Sequence, residues 1–257
     1  MESKTYFLDC IIKTQYYKRS IINYMMKGYD IADRRSAARS IIKFIKRGFD
    51  DETTLRMIVK YLNKYNFTIK NGRECERANC LSQLLHNVPS NYLDYGCGDG
   101  SITVHISKSL GLNKKNVLGV DIKDIDNPDI TFIGTRTDSV QCSSVDLVTA
   151  FVSLHHAEID IALDTIERVL KPGGVLVIRE HDFDGSNILR MYLDLIHMFI
   201  SVRVHGDSNL SRHGRPEYKS MKEWDNLIIS RGFECGKTLI YKSNNPQRLY
   251  CRAYVKK

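Results

Sequence analysis

A glycine-rich segment, Leu93-Asp94-Tyr95-Gly96-Cys97-Gly98-Asp99-Gly100, holds the residues best suited to bind a ligand. An apolar stretch leads into it and a helical pattern begins at Ser101, so the glycines form a turn between a strand and a helix. Such a turn lets a ligand approach the backbone, and the helix N-terminus favours an anionic group. Asp121 ends the next apolar stretch, where a carboxylate can accept hydrogen bonds from ribose hydroxyls. The spacing predicts a nucleotide-type ligand.

The glycine turn and Asp121 do not by themselves decide which nucleotide cofactor is bound. A nicotinamide or flavin dinucleotide stays open, because an acid at this position serves those cofactors as well. Their fingerprint asks for a third small residue one place after Gly100, where this sequence has Ser101.

Candidate acid-base residues follow the predicted fourth and fifth strands. His155 comes after the fourth strand, and Glu180-His181-Asp182 comes just beyond the fifth. Ligands of open α/β folds bind at this carboxyl edge, and histidine titrates near neutrality. His181, Glu180 and His155 are therefore the predicted catalytic residues, with substrate binding or loop fixation as the alternative. Cys75 and Cys80 lack a matching pair at zinc spacing, so no metal is predicted.

The elements that position these residues change character at Pro89. The first 88 residues read as a basic, helical N-terminal lobe. One helix is expected at Ser36 to Lys46 and a third at about Glu74 to His86. Between them, Asp50 and Asp51 offer an N-cap for a second helix whose apolar face includes Leu55 and Leu62. Strands then alternate with helices, which indicates parallel βαβ units. The strands are expected at 92–95, 117–121, 131–133, 145–151 and 175–178, the helices at 101–110, 159–170 and 220–230. Lys171 to Gly174 is expected to form a tight turn, and 233–241 with 248–255 an antiparallel pair.

A long insertion at about 181–218 interrupts this pattern. Asn187 to Val204 is apolar nearly all round, as in a helix that is buried or covers something. His205 to Pro216 is polar and is expected to form a loop near the site. The rest of residues 89–257 is predicted to be one ligand-binding domain.

These motifs together resemble the class I S-adenosylmethionine-dependent methyltransferases, especially the branch that includes ubiquinone-biosynthesis-type enzymes. The similarity covers about Tyr92 to Glu180, including Leu118-Gly119-Val120-Asp121, Ser144 to Val148, Leu154-His155-His156 and Arg168-Val169-Leu170-Lys171-Pro172-Gly173-Gly174. The resemblance implies a Rossmann-like, mostly parallel sheet of seven strands flanked by helices, with the last strand antiparallel. It also implies S-adenosyl-L-methionine as cofactor.

The resemblance further implies roles by position. Gly96, Cys97 and Gly98 would border the methionine end of the cofactor, and Asp94 would support its amino group. Asp121 and the adjacent Ile122 would lie at the ribose, and Asp138 with Ser139 at the adenine. Phe151 would lie near the sulfonium.

The charge distribution bears on the methyl acceptor. Residues 1–88 hold 17 Lys and Arg against 9 Asp and Glu, whereas residues 89–257 hold 21 of each, so the whole formal charge of +8 falls in the first third. Such asymmetry points to a polyanion such as RNA or to a membrane surface, and a solvated basic face that aids solubility is an equal alternative. RNA is the predicted acceptor. The sequence shows neither the Lys-Asp-Lys-Glu layout of ribose 2′-O-methyltransferases nor the Asn/Asp-Pro-Pro-Tyr signature of exocyclic-amine methyltransferases, and both absences weaken the prediction of RNA. The alternatives are a small-molecule O-, N- or C-methyltransferase and an inactive cofactor-binding subunit of a partner.

The composition sets the expected compartment. Seven scattered cysteines do not suggest a disulfide framework, and no apolar run has the length of a membrane-spanning helix or a signal peptide. A reducing compartment, cytoplasmic or nuclear, is therefore expected, with no membrane partner. The oligomeric state does not follow from the sequence.

Overall fold

The fold was analysed in a computed structural model that describes residues 10–47, 51–67, 72–122, 126–205, 216–241 and 246–257. The chain divides into two compact units. The first comprises Met1–Lys70, Phe183–Pro216 and Asn244–Gln247, and the second comprises Asn71–Asp182, Glu217–Ser243 and Arg248–Lys257. The predicted division at residue 88, with an insertion at about 181–218, stays a prediction.

The helices alternate with strands in the central part of the chain. In chain order the helices are α1 Gln15–Met25, α2 Arg34–Ile45, α3 Asp51–Leu62, α4 Gly72–Leu84, α5 Ser101–Ser109, α6 Ile159–Val169, α7 Asn187–His205 and α8 Met221–Ile229. The strands are β1 Tyr92–Tyr95, β2 Val117–Val120, β3 Thr131–Phe132, β4 Val145–Phe151, β5 Leu170–His181, β6 Phe233–Ile240 and β7 Leu249–Lys256.

The first unit is built from α1, α2, α3 and α7. The Asp33 side chain caps α2 by accepting the Ser36 backbone N–H at 2.9 Å. One face of α2 is buried through Ala37, Ile41 and Ile45, at the four-residue spacing of an amphipathic helix. Helix α7 packs against α1 and α3, and all of its described side chains except the first are at least partly buried. The predicted apolar helix is therefore a core element of this unit.

The second unit contains a seven-stranded sheet in the order β3-β2-β1-β4-β5-β7-β6. Strands β1 to β5 are parallel, whereas β7 runs antiparallel to both β5 and β6. This arrangement confirms the predicted fold class. It also gathers the carboxyl ends of β1, β2, β4 and β5 at one edge, which is where open α/β sheets bind ligands.

Helices cover both faces of the sheet. Successive residues of a strand point to opposite faces, and both faces carry apolar side chains that must be buried. Leu93, Val148 and Ile178 pack with residues of α6 and α8. Tyr92 and Leu147 pack instead with residues of α4 and α5. The sheet is thus buried on both faces, as expected for parallel strands.

The fifth strand differs from its prediction. It runs from Leu170 to His181, so Glu180 and His181 are its last two residues rather than part of a following loop. The extension pairs with β7, where Glu180 lies opposite Tyr250 and His181 opposite Leu249. The expected turn at Lys171 to Gly174 is an irregularity inside the strand, with Gly173 at a φ of +78°.

Two other predictions fall partly on residues outside the described ranges. These are the end of α2 at Gly48 and most of the polar loop from His205 to Pro216. Within the described ranges, no helix combines the length and the apolar character needed to cross a membrane.

Candidate active site

The glycine turn after β1 is tied to the end of β2 by backbone and side-chain hydrogen bonds. The N–H groups of Gly96 and Cys97 donate to the Val120 carbonyl at 2.7 and 3.0 Å. The Gly98 N–H donates to Oδ2 of Asp121 at 2.9 Å. Asp121 thus lies at the turn, and the two predicted cofactor elements are neighbours.

Two glycines of the turn are required for different reasons. Gly96 has a φ of +81°, and a Cβ there would stand 2.3 Å from Cβ of Ser153, which follows β4. Gly98 has a φ of +58°, and no described atom lies within 4 Å of where its Cβ would be. Gly96 therefore lets two loops pack closely, whereas Gly98 leaves its backbone open to a ligand.

Asp94 is buried and joins three elements beneath the turn. Its Oδ2 accepts the Thr103 hydroxyl of α5 at 2.6 Å, and its Oδ1 accepts the Thr149 hydroxyl of β4 at 2.7 Å. Because Thr149 gives its proton to Asp94, the Tyr92 hydroxyl, 2.8 Å away, must donate to Thr149. Burial raises the pKa of Asp94, while the two threonine hydroxyls oppose the rise.

The predicted adenine residues lie on a turn that α6 holds in place. Asp138 and Ser139 are exposed on the short 3₁₀ turn Thr137–Ser139. Arg168 of α6 donates to the carbonyls of Thr137 and Val140, both at 2.6 Å. The arginine of the sequence motif therefore positions this turn.

The other predicted cofactor residues differ in exposure. Ile122 is 63% exposed although it is large and apolar, which leaves its side chain available to a flat ring. Phe151 is buried in the core at the end of β4. Cys97 is buried, and burial raises the pKa of its thiol, so it is a packing residue of the turn rather than a nucleophile.

The three predicted catalytic residues are brought together at the ends of β4 and β5. Nδ1 of His155 lies 2.5 Å from Oε2 of Glu180, and both side chains are 1% exposed. Oε1 of Glu180 accepts the Leu154 backbone N–H at 3.0 Å. The carboxylate thus fixes the ring orientation of His155.

Burial sets the protonation of this pair. Desolvation raises the pKa of Glu180 to about 7, against the opposing effects of His181, His156 and the Leu154 and His155 backbone N–H groups. Desolvation also lowers the pKa of His155 to about 3, so its imidazole is neutral near pH 7. With Nδ1 directed at the Glu180 carboxylate, Nε2 is the ring atom that can accept a proton from a substrate.

Aromatic rings surround the pair. The ring centroid of His181 lies 5.6 Å from that of His155, and the Tyr218 ring lies 5.4 Å from His155 and 6.0 Å from His181. The Glu217 backbone N–H donates to the His155 carbonyl at 2.7 Å, which anchors the segment carrying Tyr218.

Sequence reasoning missed four residues that organise the site, namely Thr103, Thr149, Arg168 as a turn holder, and Tyr218. Thr149 could have been found, because it is the one polar residue in the second half of an apolar strand. Tyr218 could not, because it lies 63 residues from His155 in the chain and follows no motif.

Known proteins match the part of the chain that carries this site. Residues 70–237, more than half of the chain, match the family model described as a methyltransferase domain. A highly reducing polyketide synthase of Phaeosphaeria nodorum is 33% identical in a comparison of 128 residues that covers 42% of this chain and 4% of that protein. Ribosomal RNA-processing protein 8 of Arabidopsis thaliana is 30% identical over 135 residues, 51% of this chain and 44% of that protein. The chain thus spans less than half the length of either relative.

Solved structures share the fold. One is an S-adenosylmethionine-dependent methyltransferase of Thermotoga maritima, with a TM-score of 0.50 and 15% identity over 72% of this chain and 89% of that one. Another is a methyltransferase in complex with the Haloferax volcanii activator Trm112, with a TM-score of 0.50 and 15% identity over 72% and 91% of the two chains.

Proposed function

The chain belongs to the methyltransferase domain family and is an S-adenosylmethionine-dependent methyltransferase, and we propose that its methyl acceptor is RNA. The observation that supports this acceptor best is the separation of charge. The first 88 residues carry a net charge of +8 and the remaining 169 carry none. A polyanion neutralises such a surface and releases its own counterions. The relative from Arabidopsis thaliana, named as a ribosomal RNA-processing protein, adds support.

The residues at the glycine turn fit the cofactor. The open backbone at Gly98 allows close approach, and the Asp121 carboxylate beside it can accept hydroxyl groups. We assign Gly96, Cys97 and Gly98 to the methionine end and Asp121 with Ile122 to the ribose. Asp138 and Ser139 would face the adenine and Phe151 the sulfonium, while Asp94 supports the turn from below. S-adenosylmethionine, when bound, supplies a methyl group on an electrophilic sulfonium.

His155 is the general base in this proposal, and Glu180 is its positioning residue. Nε2 of the neutral ring takes the proton that the acceptor loses, and the Glu180 carboxylate stabilises the imidazolium that forms. His181, whose ring centroid lies 6.0 Å from that of Tyr218, is assigned to packing against this ring. The base is needed only where the acceptor atom carries a proton, as a hydroxyl or an amide nitrogen does.

This assignment predicts a pH dependence. Glu180 must be ionised to stabilise the His155 imidazolium, so kcat is expected to rise with pH until it levels off above about 7. In a Glu180→Gln variant the rise is expected to disappear and kcat to fall by roughly a hundredfold, within the usual range for acid-base residues. A Glu180→Gln variant that keeps both kcat and the rise would contradict the assignment.

A small acidic molecule is the second candidate acceptor. The side chains of His155 and Glu180 are each 1% exposed. So enclosed a general base suits a small acceptor that enters the fold and loses a proton from oxygen or carbon. The matched region of the polyketide synthase relative also favours this candidate.

The test is a transfer assay with the full chain, cofactor labelled in its methyl group, and total RNA. We expect label in ribonuclease-sensitive material, retained in a Glu234→Gln control whose carboxylate is 67% exposed. His155→Gln should lose transfer while its cofactor affinity, measured by calorimetry, stays within twofold. If RNA stays unlabelled while a small-molecule extract becomes labelled, the small acidic molecule replaces RNA as the candidate acceptor.

A further inference from the structure

One face of α2 carries basic side chains without an acidic neighbour on the helix. Residues 34–47 contain six Arg and Lys and no Asp or Glu, and all six basic side chains are exposed. At about 100° per residue, Arg35, Arg39, Lys43 and Lys46 fall within about 80° of one another. We call these four residues the α2 basic face. It extends over 11 residue steps, or about 16 Å of helix.

A cavity between α1 and α2 lies beside this face. It has a volume of about 210 Å³ and is lined by Gln15, Lys18, Arg19, Ile22 and Asn23 of α1 and by Ala38 and Ile42 of α2. Around the axis of α2, Arg35 and Arg39 are about 20° and 60° from Ile42. The basic face therefore borders the cavity, and Lys18 and Arg19 add two cations on its other wall.

A second, larger cavity continues on the other side of α1. Its volume is about 680 Å³, and it is lined by Gln15, Tyr16, Arg19, Ser20, Asn23 and Pro246. Gln15, Arg19 and Asn23 line both cavities, so the two form one concave region along α1. Amide side chains such as Gln15 and Asn23 can both donate and accept, as recognition of base edges requires.

Tyr16 offers an aromatic surface in the larger cavity. It is 48% exposed and contacts the Tyr17 ring edge-on at a centroid distance of 5.4 Å. Tyr17 in turn packs on Tyr192 at 5.0 Å, and the hydroxyl groups of Tyr192 and Ser20 are hydrogen-bonded at 2.6 Å. The half-buried Tyr17 thus contacts one side of Tyr16, and the exposed fraction of the Tyr16 ring is available for stacking.

We propose that the α2 basic face and the cavities along α1 bind a single-stranded segment of RNA. Its phosphates would lie on the basic face, and a base would stack on Tyr16 within reach of the Gln15 and Asn23 amides. This proposal rests on the proposed RNA acceptor and adds the surface that holds it.

The chemistry of the surface favours single-stranded RNA over two other polyanionic partners. A duplex hides its base faces, so Tyr16 and the concave region would have no role in binding it. An anionic membrane would require apolar side chains beside the cations for insertion. The apolar side chains nearest the α2 basic face, Ala38 and Ile42, line the cavity and are partly buried, and the exposed ring beside it ends in a hydroxyl.

The test measures binding of the full chain to a labelled 20-nucleotide single-stranded RNA by fluorescence anisotropy at several salt concentrations. The triple variant R35E/R39E/K43E should bind at least tenfold more weakly. Each lost phosphate contact reduces the salt slope by about 0.7, so the slope should fall by about 2. Tyr16→Ala should weaken binding by about fivefold to a hundredfold with an unchanged slope, because stacking releases no counterions.

The matched control K114E/K115E/K222E makes the same charge change at three exposed lysines of the second unit. It should bind RNA within threefold of the wild type, and every variant should keep wild-type cofactor affinity. Wild-type RNA affinity in both R35E/R39E/K43E and Tyr16→Ala would contradict the proposed RNA-binding surface, while RNA could still be the methyl acceptor. Binding of anionic vesicles in place of RNA would overturn it in favour of a membrane. Normal RNA binding without RNA methylation would contradict the proposed acceptor but not the proposed RNA-binding surface.

Discussion

Two carboxylates near the glycine turn have different environments and hence different roles. Asp94 is 3% exposed, and both of its oxygens accept threonine hydroxyls, so it fixes α5 and β4 around β1. Asp121 is half-buried and holds the turn through the Gly98 N–H. A carboxylate oxygen can accept more than one hydrogen bond, so Asp121 can hold both the turn and a ligand.

The role of Asp121 can be tested with Asp121→Asn. The amide keeps an oxygen for the Gly98 N–H but removes the charge. A hydrogen bond to a charged group contributes about 1.5–3 kcal/mol, so the cofactor affinity should fall roughly tenfold to a hundredfold. Calorimetric titration measures the change, and Asp129→Asn, an exposed acid paired with Lys108, is the control. Equal affinities of the two variants would remove Asp121 from the ribose site.

The two histidines at the ends of β4 and β5 occupy different positions in the site. His155 has the Glu180 carboxylate on its Nδ1, whereas His181 faces the rings of His155 and Tyr218. Sequence spacing could not separate them, because each comes shortly after an apolar run. The pairing with Glu180 depends on how β4 and β5 align, which no local pattern encodes.

At the scale of elements, the sequence predicted most of the second unit because its parallel strands are short, mostly apolar segments bounded by turn residues. β1 and β4 have the predicted bounds, and α5, α6 and α8 differ by one or two residues. Glycine and proline mark these ends, and Ser220 with Glu223 forms a capping box at α8. The length of β5 was wrong because its last residues pair with β7, which is about 70 residues away in the sequence.

The glycine turn is the element whose sequence is most constrained, and its two glycines give a matched pair of variants. Gly96→Ala places a Cβ against Ser153 at a positive φ, and should lower the free energy of unfolding by about 3 kcal/mol. Gly98→Ala meets open space, and should cost only about 1 kcal/mol.

The cofactor affinities of the same two variants should not follow the order of their stabilities. Gly98→Ala adds a methyl group where the ligand approaches the backbone, so its affinity should fall although the fold is retained. Urea unfolding and calorimetry measure the two effects. Equal stability losses in both variants would show that the close contact at Ser153 does not constrain the turn.

At the scale of the whole molecule, the site combines segments that are far apart in the sequence. Glu180 and His155 are separated by 25 residues, and Tyr218 joins them from beyond α7. Motif spacing predicted the first two residues because the fold family aligns β4 and β5. Burial decides their protonation, and burial depends on every helix that covers the sheet.

The buried pair should therefore appear in the pH dependence of stability. The pKa of Glu180 is about 7 in the fold, above its unfolded value of 4.5, so the folded chain holds the proton more tightly. Its contribution is complete below about pH 4.5 and is lost as the pH rises through about 7. The pKa of His155 is about 3, below 6.5, so its contribution is present above pH 6.5 and is lost as the pH falls through about 3.

These two contributions have opposite slopes between about pH 4.5 and 6.5 and should nearly cancel there in the wild type. Glu180→Gln removes one of them, so the stability of the wild type minus that of the variant should decrease as the pH rises from 4.5 to 7 and then level off. Denaturant unfolding at pH 5, 6, 7 and 8 measures this difference. The exposed His86→Gln serves as control and should show no such trend. A wild-type advantage over Glu180→Gln that is constant across this range would mean that Glu180 is ionised throughout. The carboxylate would then be permanently charged, and the rise of kcat with pH would need another titrating group.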